Sequence, residues 1–173
     1  MKKGLKFFLV VLLAGAALSF ITVTKKIDRS EAVTISVPAG FKTDVYAEGL
    51  GRARHLVVNT NGDIFVKLET LRNGKGIIRL RDKNKDGVAD DSFYFGNYTG
   101  TGITIKNGYL YASSDEDIYR YKLTEDGDVT NPDAPEIVVK GLFRRGRHHS
   151  SKSITLDNNG NLYVNIGAPS NIC

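Results

Sequence analysis

The sequence predicts an all-β fold, and within that class a partial β-propeller of about three blades. The first observation is a strand–turn–strand pattern that occurs three times, with turn glycines at Gly62, Gly108 and Gly160. These glycines are 46 and 52 residues apart, which is close to the length of a four-stranded propeller blade. The second observation is the glycine content, 18 in 173 residues, because several of these glycines follow Asn or Asp as they do in tight turns.

Each copy of the pattern has the composition of a β-hairpin. The three copies span residues 55–67, 102–112 and 153–165. Their central Asn-Gly pairs supply the two positive φ angles of a type I′ turn, and the flanking β-branched and aromatic residues favour strands. Further strands are predicted between the copies, at residues 76–81, 92–95, 118–123 and 136–139, and before them, at residues 33–37 and 41–46.

The predicted blades occupy residues 33–173, and the last blade is unfinished. Closed propellers need about 4–8 blades, so we expect the sequence to be the N-terminal part of a longer protein, truncated at its C-terminal end. The only cysteine, Cys173, is either a free terminal thiol or one half of a disulfide whose partner lies beyond this sequence. We favour the second interpretation because the repeat also stops early.

Residues 1–19 have the layout of a secretory signal peptide, with three lysines, an apolar run and then small residues. The alternative is an uncleaved anchor, because the apolar run continues to Val23 and approaches the length of a membrane span. Both interpretations predict a periplasmic or secreted protein, with a polar linker over residues 24–32. Contact with the membrane is expected only if the signal is uncleaved.

The charge of the chain argues against a nucleic-acid partner. The formal net charge is +5, and Lys2, Lys3 and Lys6 of the signal-like segment carry three of those charges. The remaining charge of +2 is not arranged as a basic stripe interleaved with aromatic residues, which is the pattern typical of nucleic-acid binding. We therefore predict no nucleic-acid partner.

The segment before the third hairpin is rich in groups that can carry chemistry. It contains Arg145, Arg147, His148 and His149. In a propeller, the loop that enters an innermost strand lies at the mouth of the central channel. A histidine there can act as a general base, because its ordinary pKa is near neutral. The alternative is a polar surface loop whose histidines are only solvated.

Residues 146–171, GRHHSSKSITLDNNGNLYVNIGAPSN, resemble the histidine segment of the soluble quinone-dependent glucose dehydrogenases and the related sorbosone dehydrogenase-like proteins. Residues 53–67 resemble the opening blade of the sorbosone-type branch, and the likeness extends over residues 37–171. The resemblance implies a six-bladed propeller that holds pyrroloquinoline quinone (PQQ) and calcium near its axis. It also implies a sugar or aldose substrate and an external electron acceptor.

The same resemblance implies that His149 is the base that takes the proton of the sugar hydroxyl while hydride passes to the quinone. The neighbouring His148 leaves the identity of the base open by one position. Arg145, Arg147 and His148 are expected to contact the cofactor, the arginines through charge-assisted hydrogen bonds to its carboxylates. The family's further cofactor and calcium residues belong to later blades, which this sequence does not contain. The alternative is therefore a non-catalytic exported propeller that binds a glycan or a protein.

A second candidate site is the acidic loop with Asp82, Asn84, Asp86 and Asp90. Oxygen ligands at alternate positions, with a glycine at the sharp turn, are typical of the start of a calcium loop. An EF-hand that began at Asp82 would have Phe93 at its twelfth position, where an apolar ring cannot bind the ion, so the loop is not an EF-hand. It is either a structural calcium site separate from the quinone or a metal-free turn.

Two other polar features are predicted to be structural. His55 enters the first blade strand as His149 enters the third, and we expect it to be hydrogen-bonded within the fold. The acidic run at residues 115–117 is predicted to be a solvated loop rather than a catalytic carboxylate pair.

Overall fold

The computed structural model describes residues 35–143 and 152–167. The predicted signal peptide and linker lie outside the described residues. The described residues contain no helix that is long and apolar enough to cross a membrane. They form ten strands: β1 (Ala53–Val58), β2 (Ile64–Arg72), β3 (Lys75–Arg81), β4 (Asp91–Phe95), β5 (Ile103–Lys106), β6 (Tyr109–Ser113), β7 (Ile118–Lys122), β8 (Glu136–Val139), β9 (Ile154–Leu156) and β10 (Leu162–Val164).

The strands form three antiparallel sheets in chain order. The first sheet is β1-β2-β3-β4, the second is β5-β6-β7-β8, and the third is the pair β9-β10. Strand β1 contacts β5, and β5 contacts β9, so the first strands of successive sheets lie side by side as the innermost strands of propeller blades do. The prediction of an all-β, partial propeller is confirmed, with two complete blades and the first hairpin of a third, and the sheets do not close.

The main hydrophobic core lies between the first two blades. Strand alternation turns Phe65, Ile77 and Phe95 of the first blade towards Ile103 and Tyr121 of the second, and all five are buried. The rings of Phe95 and Tyr121 meet edge to face with centroids 5.0 Å apart, a favourable geometry for aromatic pairs. This core fixes the two blades against each other.

The three predicted turn glycines occupy equivalent places in the three sheets. Gly62, Gly108 and Gly160 each lie in the turn that joins the first strand of a sheet to the second. At Asn107 and Gly108 the φ angles are 50° and 74°, and two residues separate the strands. This turn therefore has the two positive φ angles predicted for type I′.

The prediction of a type I′ turn is wrong for the first and third copies. Five residues separate β1 from β2, and only Gly62 among them has a positive φ angle. Its N–H donates to the carbonyl oxygen of Asn59 over 2.9 Å, and the Asn59 N–H donates to Asp63 O over 2.8 Å. These bonds describe an ordinary turn followed by a left-handed glycine. The turn at Gly160 has the same hydrogen-bond pattern.

The predicted strand at residues 41–46 is also wrong, as is the part of the 33–37 strand that the structure describes. Neither stretch pairs with another strand in the described residues, and the side chain of Phe41 is 73% exposed. A β-strand needs a neighbouring strand to hydrogen-bond with, and an alternating apolar sequence pattern does not by itself provide one. Instead, Tyr46, Ala47 and Leu50 pack across the outer face of the first blade.

Candidate functional site

The candidate site lies on the side of the blades where the loops at one end of the strands come together, and we call this side the connection edge. In an antiparallel meander, every second loop lies at the same edge of the sheet. The β2–β3 turn (73–74), the β4–β5 connection (96–102), the β6–β7 turn (114–117) and the β8–β9 connection (140–153) share this edge. The predicted catalytic and cofactor-binding residues, Arg145, Arg147, His148 and His149, fall in the last of these loops and lie outside the described residues.

The first residues of the β8–β9 connection are hydrogen-bonded to the β6–β7 turn. The N–H of Gly141 donates to the Asp117 carboxylate over 2.9 Å, and the N–H of Leu142 donates to Glu116 O over 2.6 Å. The second Asp117 oxygen accepts the Tyr119 hydroxyl over 3.0 Å. The prediction of a merely solvated acidic loop is therefore wrong for Asp117, whose carboxylate anchors the start of the β8–β9 connection. Because residues 140–153 include His148 and His149, we call this segment the histidine connection.

The same connection ends against the second blade. The N–H of Lys152 donates to Thr101 Oγ1 over 3.0 Å, and Ser113 Oγ donates to Lys152 O over 2.6 Å. Ser113 Oγ also accepts the Gly102 N–H over 2.9 Å. A Cβ atom at Gly102 would overlap Lys152 O, so the close approach requires glycine. Both ends of the segment that carries His149 are thus fixed at the connection edge, immediately before the innermost strand β9.

Lys67 is an ionisable residue near this edge that the sequence analysis did not identify. Its side chain is 0% exposed, and Nζ donates to Tyr98 O over 2.7 Å and to Gly76 O over 3.2 Å. Nζ also lies 4.4 Å from the centroid of the Tyr98 ring. Burial lowers the pKa of Lys67 to about 7, and the nearby Asp115 carboxylate opposes that shift. The sequence did contain one sign of this buried lysine: it lies two residues after Phe65, and therefore on the same inward face of the predicted strand.

A tyrosine cluster continues from Lys67 into the second blade. The Tyr98 ring stacks on Tyr119 with centroids 4.3 Å apart, and the Tyr121 hydroxyl donates to the Tyr98 hydroxyl over 3.0 Å. Burial raises the pKa of Tyr98 well above its ordinary value and that of Tyr121 to about 12. Both phenols are therefore neutral at ordinary pH, and they act as fixed hydrogen-bonding groups.

The opposite edge of the first two blades carries an ion-pair cluster. Arg81 donates to both oxygens of the buried Asp63 carboxylate, over 2.7 and 2.6 Å, and also to Asp128 of the second blade over 3.1 Å. Arg79 donates to Asp128 and to Asp91 over 3.0 Å. An open cleft of about 680 Å³ borders this cluster. The pairs that Arg79 and Arg81 form with Asp128 cross from the first blade to the second, and they help to hold the two blades together.

The predicted calcium residues form the β3–β4 loop, at the same edge as the ion-pair cluster and away from the connection edge. Asp82 accepts the N–H groups of Asp86 and Gly87 over 3.2 and 2.8 Å, Asn84 accepts that of Asp86 over 3.0 Å, and Asp90 accepts that of Lys83 over 3.2 Å. In the part of the chain that the structure describes, no group of three or more His, Cys, Asp or Glu residues is placed to hold a metal. Calcium binding by this loop stays a prediction.

His55 lies on β1 and is exposed. It stands opposite Lys67 in the β1–β2 register, next to the connection edge. Its side chain makes no hydrogen bond to any residue that the structure describes, so the expectation of a hydrogen-bonded structural histidine is wrong.

Four-stranded antiparallel blades whose innermost strands lie side by side define a β-propeller domain. The chain belongs to the TrAA12-like family, whose model matches residues 35–173. The resemblance to quinone-dependent sugar dehydrogenases predicted from the sequence is thereby confirmed at the level of family and fold.

Solved structures share this fold. The calcium and iodide structures of Trichoderma reesei carbohydrate-active enzyme family AA12 are each 24% identical, cover 73% and 74% of this chain, and superpose with TM-scores of 0.60 and 0.61. The holo form of the pyranose dehydrogenase PQQ domain from Coprinopsis cinerea is 20% identical, covers 72% of this chain and gives a TM-score of 0.57. The chain spans 32%, 33% and 30% of these three structures, about a third of each. No curated protein matches it.

Proposed function

We propose that this chain is part of an exported PQQ-dependent dehydrogenase that oxidises a sugar or aldose and passes the electrons to an external acceptor. The observation that carries the proposal is the anchoring of both ends of the histidine connection, at Asp117 and at Thr101 with Ser113. A base that acts in catalysis must be held in place by its surroundings. The family match over residues 35–173 and the PQQ domain among the solved relatives support the same function.

The residues of the connection edge fit a quinone that carries carboxylates. Such a group needs cationic donors in a site screened from water, and the connection contains Arg145, Arg147 and His148. Lys152, at the end of the connection, is 1% exposed, so a buried lysine side chain lies next to this segment. We propose that the two arginines and His148 hold the quinone.

In the proposed reaction, the bound quinone supplies the hydride acceptor that alcohol oxidation requires. The role of this chain is to remove the hydroxyl proton. A neutral imidazole of His149 accepts that proton at a ring nitrogen, because its ordinary pKa lies near neutral pH. His148 is the alternative base, one residue away, and substitution separates the two.

Calcium is proposed as the second cofactor, and one AA12 relative was solved as a calcium structure. The Asp82–Asp90 loop is a candidate for a structural ion only, because it lies at the edge opposite the histidine connection. Export is proposed from the signal-like residues 1–19. N-terminal sequencing of the protein from the periplasm or medium tests export: a chain that starts near residue 20 supports cleavage, and a cytoplasmic chain that retains Met1 contradicts export.

The experiment that tests the function uses the intact protein as its host produces it. The protein is loaded with PQQ and calcium, and dye reduction is followed with a panel of aldoses, with PQQ omitted as the control. We expect sugar-dependent reduction that falls about 10²–10⁴-fold when the base is removed, in His149→Ala or, if the base is its neighbour, in His148→Ala. Absence of both quinone binding and activity with every sugar contradicts the proposal and favours a non-catalytic propeller that binds a glycan or a protein.

A further inference from the structure

We infer that Lys67 is a positioning residue, whose buried amino group fixes the β4–β5 connection and, through it, the point at which the histidine connection joins β9. Lys67 lies in β2 and does not belong to the histidine connection. The inference rests on the proposed function for its catalytic consequence, but its structural consequence can be measured without activity.

The first step of the argument is the attachment of the β4–β5 connection to the first blade. Nζ of Lys67 donates to Tyr98 O over 2.7 Å and to Gly76 O over 3.2 Å, so one amino group joins this connection to the start of β3. Two residues later, the N–H of Gly100 donates to Leu68 O over 3.3 Å. The Lys67 bond to Tyr98 O, at 2.7 Å, is shorter than the Gly100 bond at 3.3 Å, so the lysine is the principal tie.

The second step joins the β4–β5 connection to the histidine connection. Thr101 follows Gly100 directly and accepts the N–H of Lys152 over 3.0 Å. Ser113 receives the Gly102 N–H and donates to Lys152 O, over 2.9 and 2.6 Å. The N–H of Lys152 is therefore held by Thr101 of the segment that Lys67 ties down, and its carbonyl oxygen by Ser113, which also binds Gly102 of that segment. Two residues separate Lys152 from His149, so little chain is available to absorb a displacement.

The groups around Lys67 explain why a hydrogen-bond donor, and not an apolar side chain, suits this position. Asp115 of the β6–β7 turn favours the charged form, and the face of the Tyr98 ring attracts a cation. From β1, His55 stands opposite Lys67 in register, and β3 contributes the backbone of Gly76 rather than a charge. An apolar replacement would leave two carbonyl oxygens without their donor in a buried place.

The experiment compares three variants of the intact protein by amide hydrogen exchange. Lys67→Met keeps the length of the side chain and removes every donor, whereas Lys67→Gln keeps two N–H donors without the charge. Ile78→Ala is the matched control, because it opens a cavity on the other face of the same blade. In Lys67→Met we expect the amides of Gly100 and Lys152 to exchange about tenfold faster than in the wild type, while Ile78→Ala leaves them unchanged relative to the rest of the sheet.

Lys67→Gln separates a positioning role from a packing role, and it also serves if Lys67→Met does not fold. Recovery of part of the Lys152 protection supports the inference, since only donors to the two carbonyls were restored. Unchanged protection of Lys152 in Lys67→Met overturns the inference, as does equal loss of protection in Lys67→Gln and Lys67→Met.

The catalytic arm measures PQQ-dependent sugar oxidation in the same proteins. We expect kcat to fall about tenfold in Lys67→Met with KM for the sugar little changed. If the wild type oxidises no sugar, the proposed function fails and the exchange data alone decide the role of Lys67. If the wild type is active and Lys67→Met retains full kcat, the function stands and the positioning role is overturned.

Discussion

The side-chain nitrogen of Lys67 lies 2.7 Å from the carbonyl oxygen of Tyr98, 31 residues further along the chain. This bond joins the second strand of the first blade to the connection that starts the second blade. The same connection carries Thr101, which holds the end of the histidine connection. The inter-blade contact and the proposed chemistry are therefore parts of one hydrogen-bonded structure.

The stability of the protein should depend on pH through Lys67. Burial lowers the pKa of Lys67 to about 7 from an ordinary value of 10.5, so between those values the unfolded chain binds more protons than the folded one. The free energy of unfolding should rise with pH across this window, by up to about 1.4 kcal/mol per pH unit. Urea denaturation at pH 7, 8 and 9 measures the slope.

Lys67→Met provides the control for that measurement. The variant lacks the titrating group, so its free energy of unfolding should rise less steeply than that of the wild type over the same pH range. Parallel profiles for the two proteins would show that Lys67 titrates near its ordinary pKa.

The close approach at Gly102 should not tolerate a side chain. A Cβ atom there would overlap Lys152 O and crowd Ser113 Oγ at 2.7 Å, so Gly102→Ala should lower the free energy of unfolding by about 1–3 kcal/mol. Chemical denaturation measures the loss. Ser153→Ala, at an exposed neighbouring position, should be nearly neutral, and a Gly102→Ala variant as stable as Ser153→Ala would contradict the described packing.

Breaking the buried ion pair of Asp63 and Arg81, which lies within the first blade, should cost far more than breaking a surface pair. The Asp63 side chain is 2% exposed and accepts two hydrogen bonds from Arg81, and removing one partner of a buried pair costs about 3–5 kcal/mol. Asp63→Ala should therefore destabilise the protein strongly in urea denaturation. Asp44→Ala removes an exposed partner of Lys42 and should cost less than about 1 kcal/mol; equal losses would contradict this assignment.

Calcium should stabilise the β3–β4 loop if that loop binds the ion as the sequence predicts. Binding only to the folded state, at about a hundred times Kd, adds about 2.7 kcal/mol, which corresponds to a rise in Tm of about 5–10 °C for a chain of this size. Thermal melts with calcium and with a chelator measure the rise, which Asp86→Ala should abolish. Asp133→Ala, at an exposed position outside the loop, should keep it. No rise in the wild type favours the metal-free turn.

Most of the blade strands could be predicted from the sequence because their signals are local. Alternating apolar residues and glycine turns define β2, β3, β6 and β7 within a few residues of the observed bounds. The exact turn types could not be predicted from the Asn-Gly pairs alone, because they depend on where each strand pairing ends. At Asn107 the pairing reaches the turn, whereas at Asn61 it stops earlier.

The rest of the site depends on contacts between distant residues. The tie from Lys67 to Tyr98 and the anchors at Asp117 and Thr101 cross between strands and blades, and no short motif encodes them. The stretch 41–46 has the alternation of a strand but pairs with no strand among residues 35–143 and 152–167. The local pattern of alternating apolar residues and glycine turns predicts the hairpins. The contacts between polar groups depend on the tertiary structure, which that pattern does not encode.

The most direct test of the central claim is the affinity of the intact protein for PQQ, measured by equilibrium titration in the presence of calcium. We predict saturable binding that weakens at least about tenfold in Arg145→Ala/Arg147→Ala. His149→Ala should still bind the quinone while losing turnover. A wild-type protein that does not bind PQQ, or that binds it equally well without the two arginines, would contradict the assignment of the histidine connection as the quinone site.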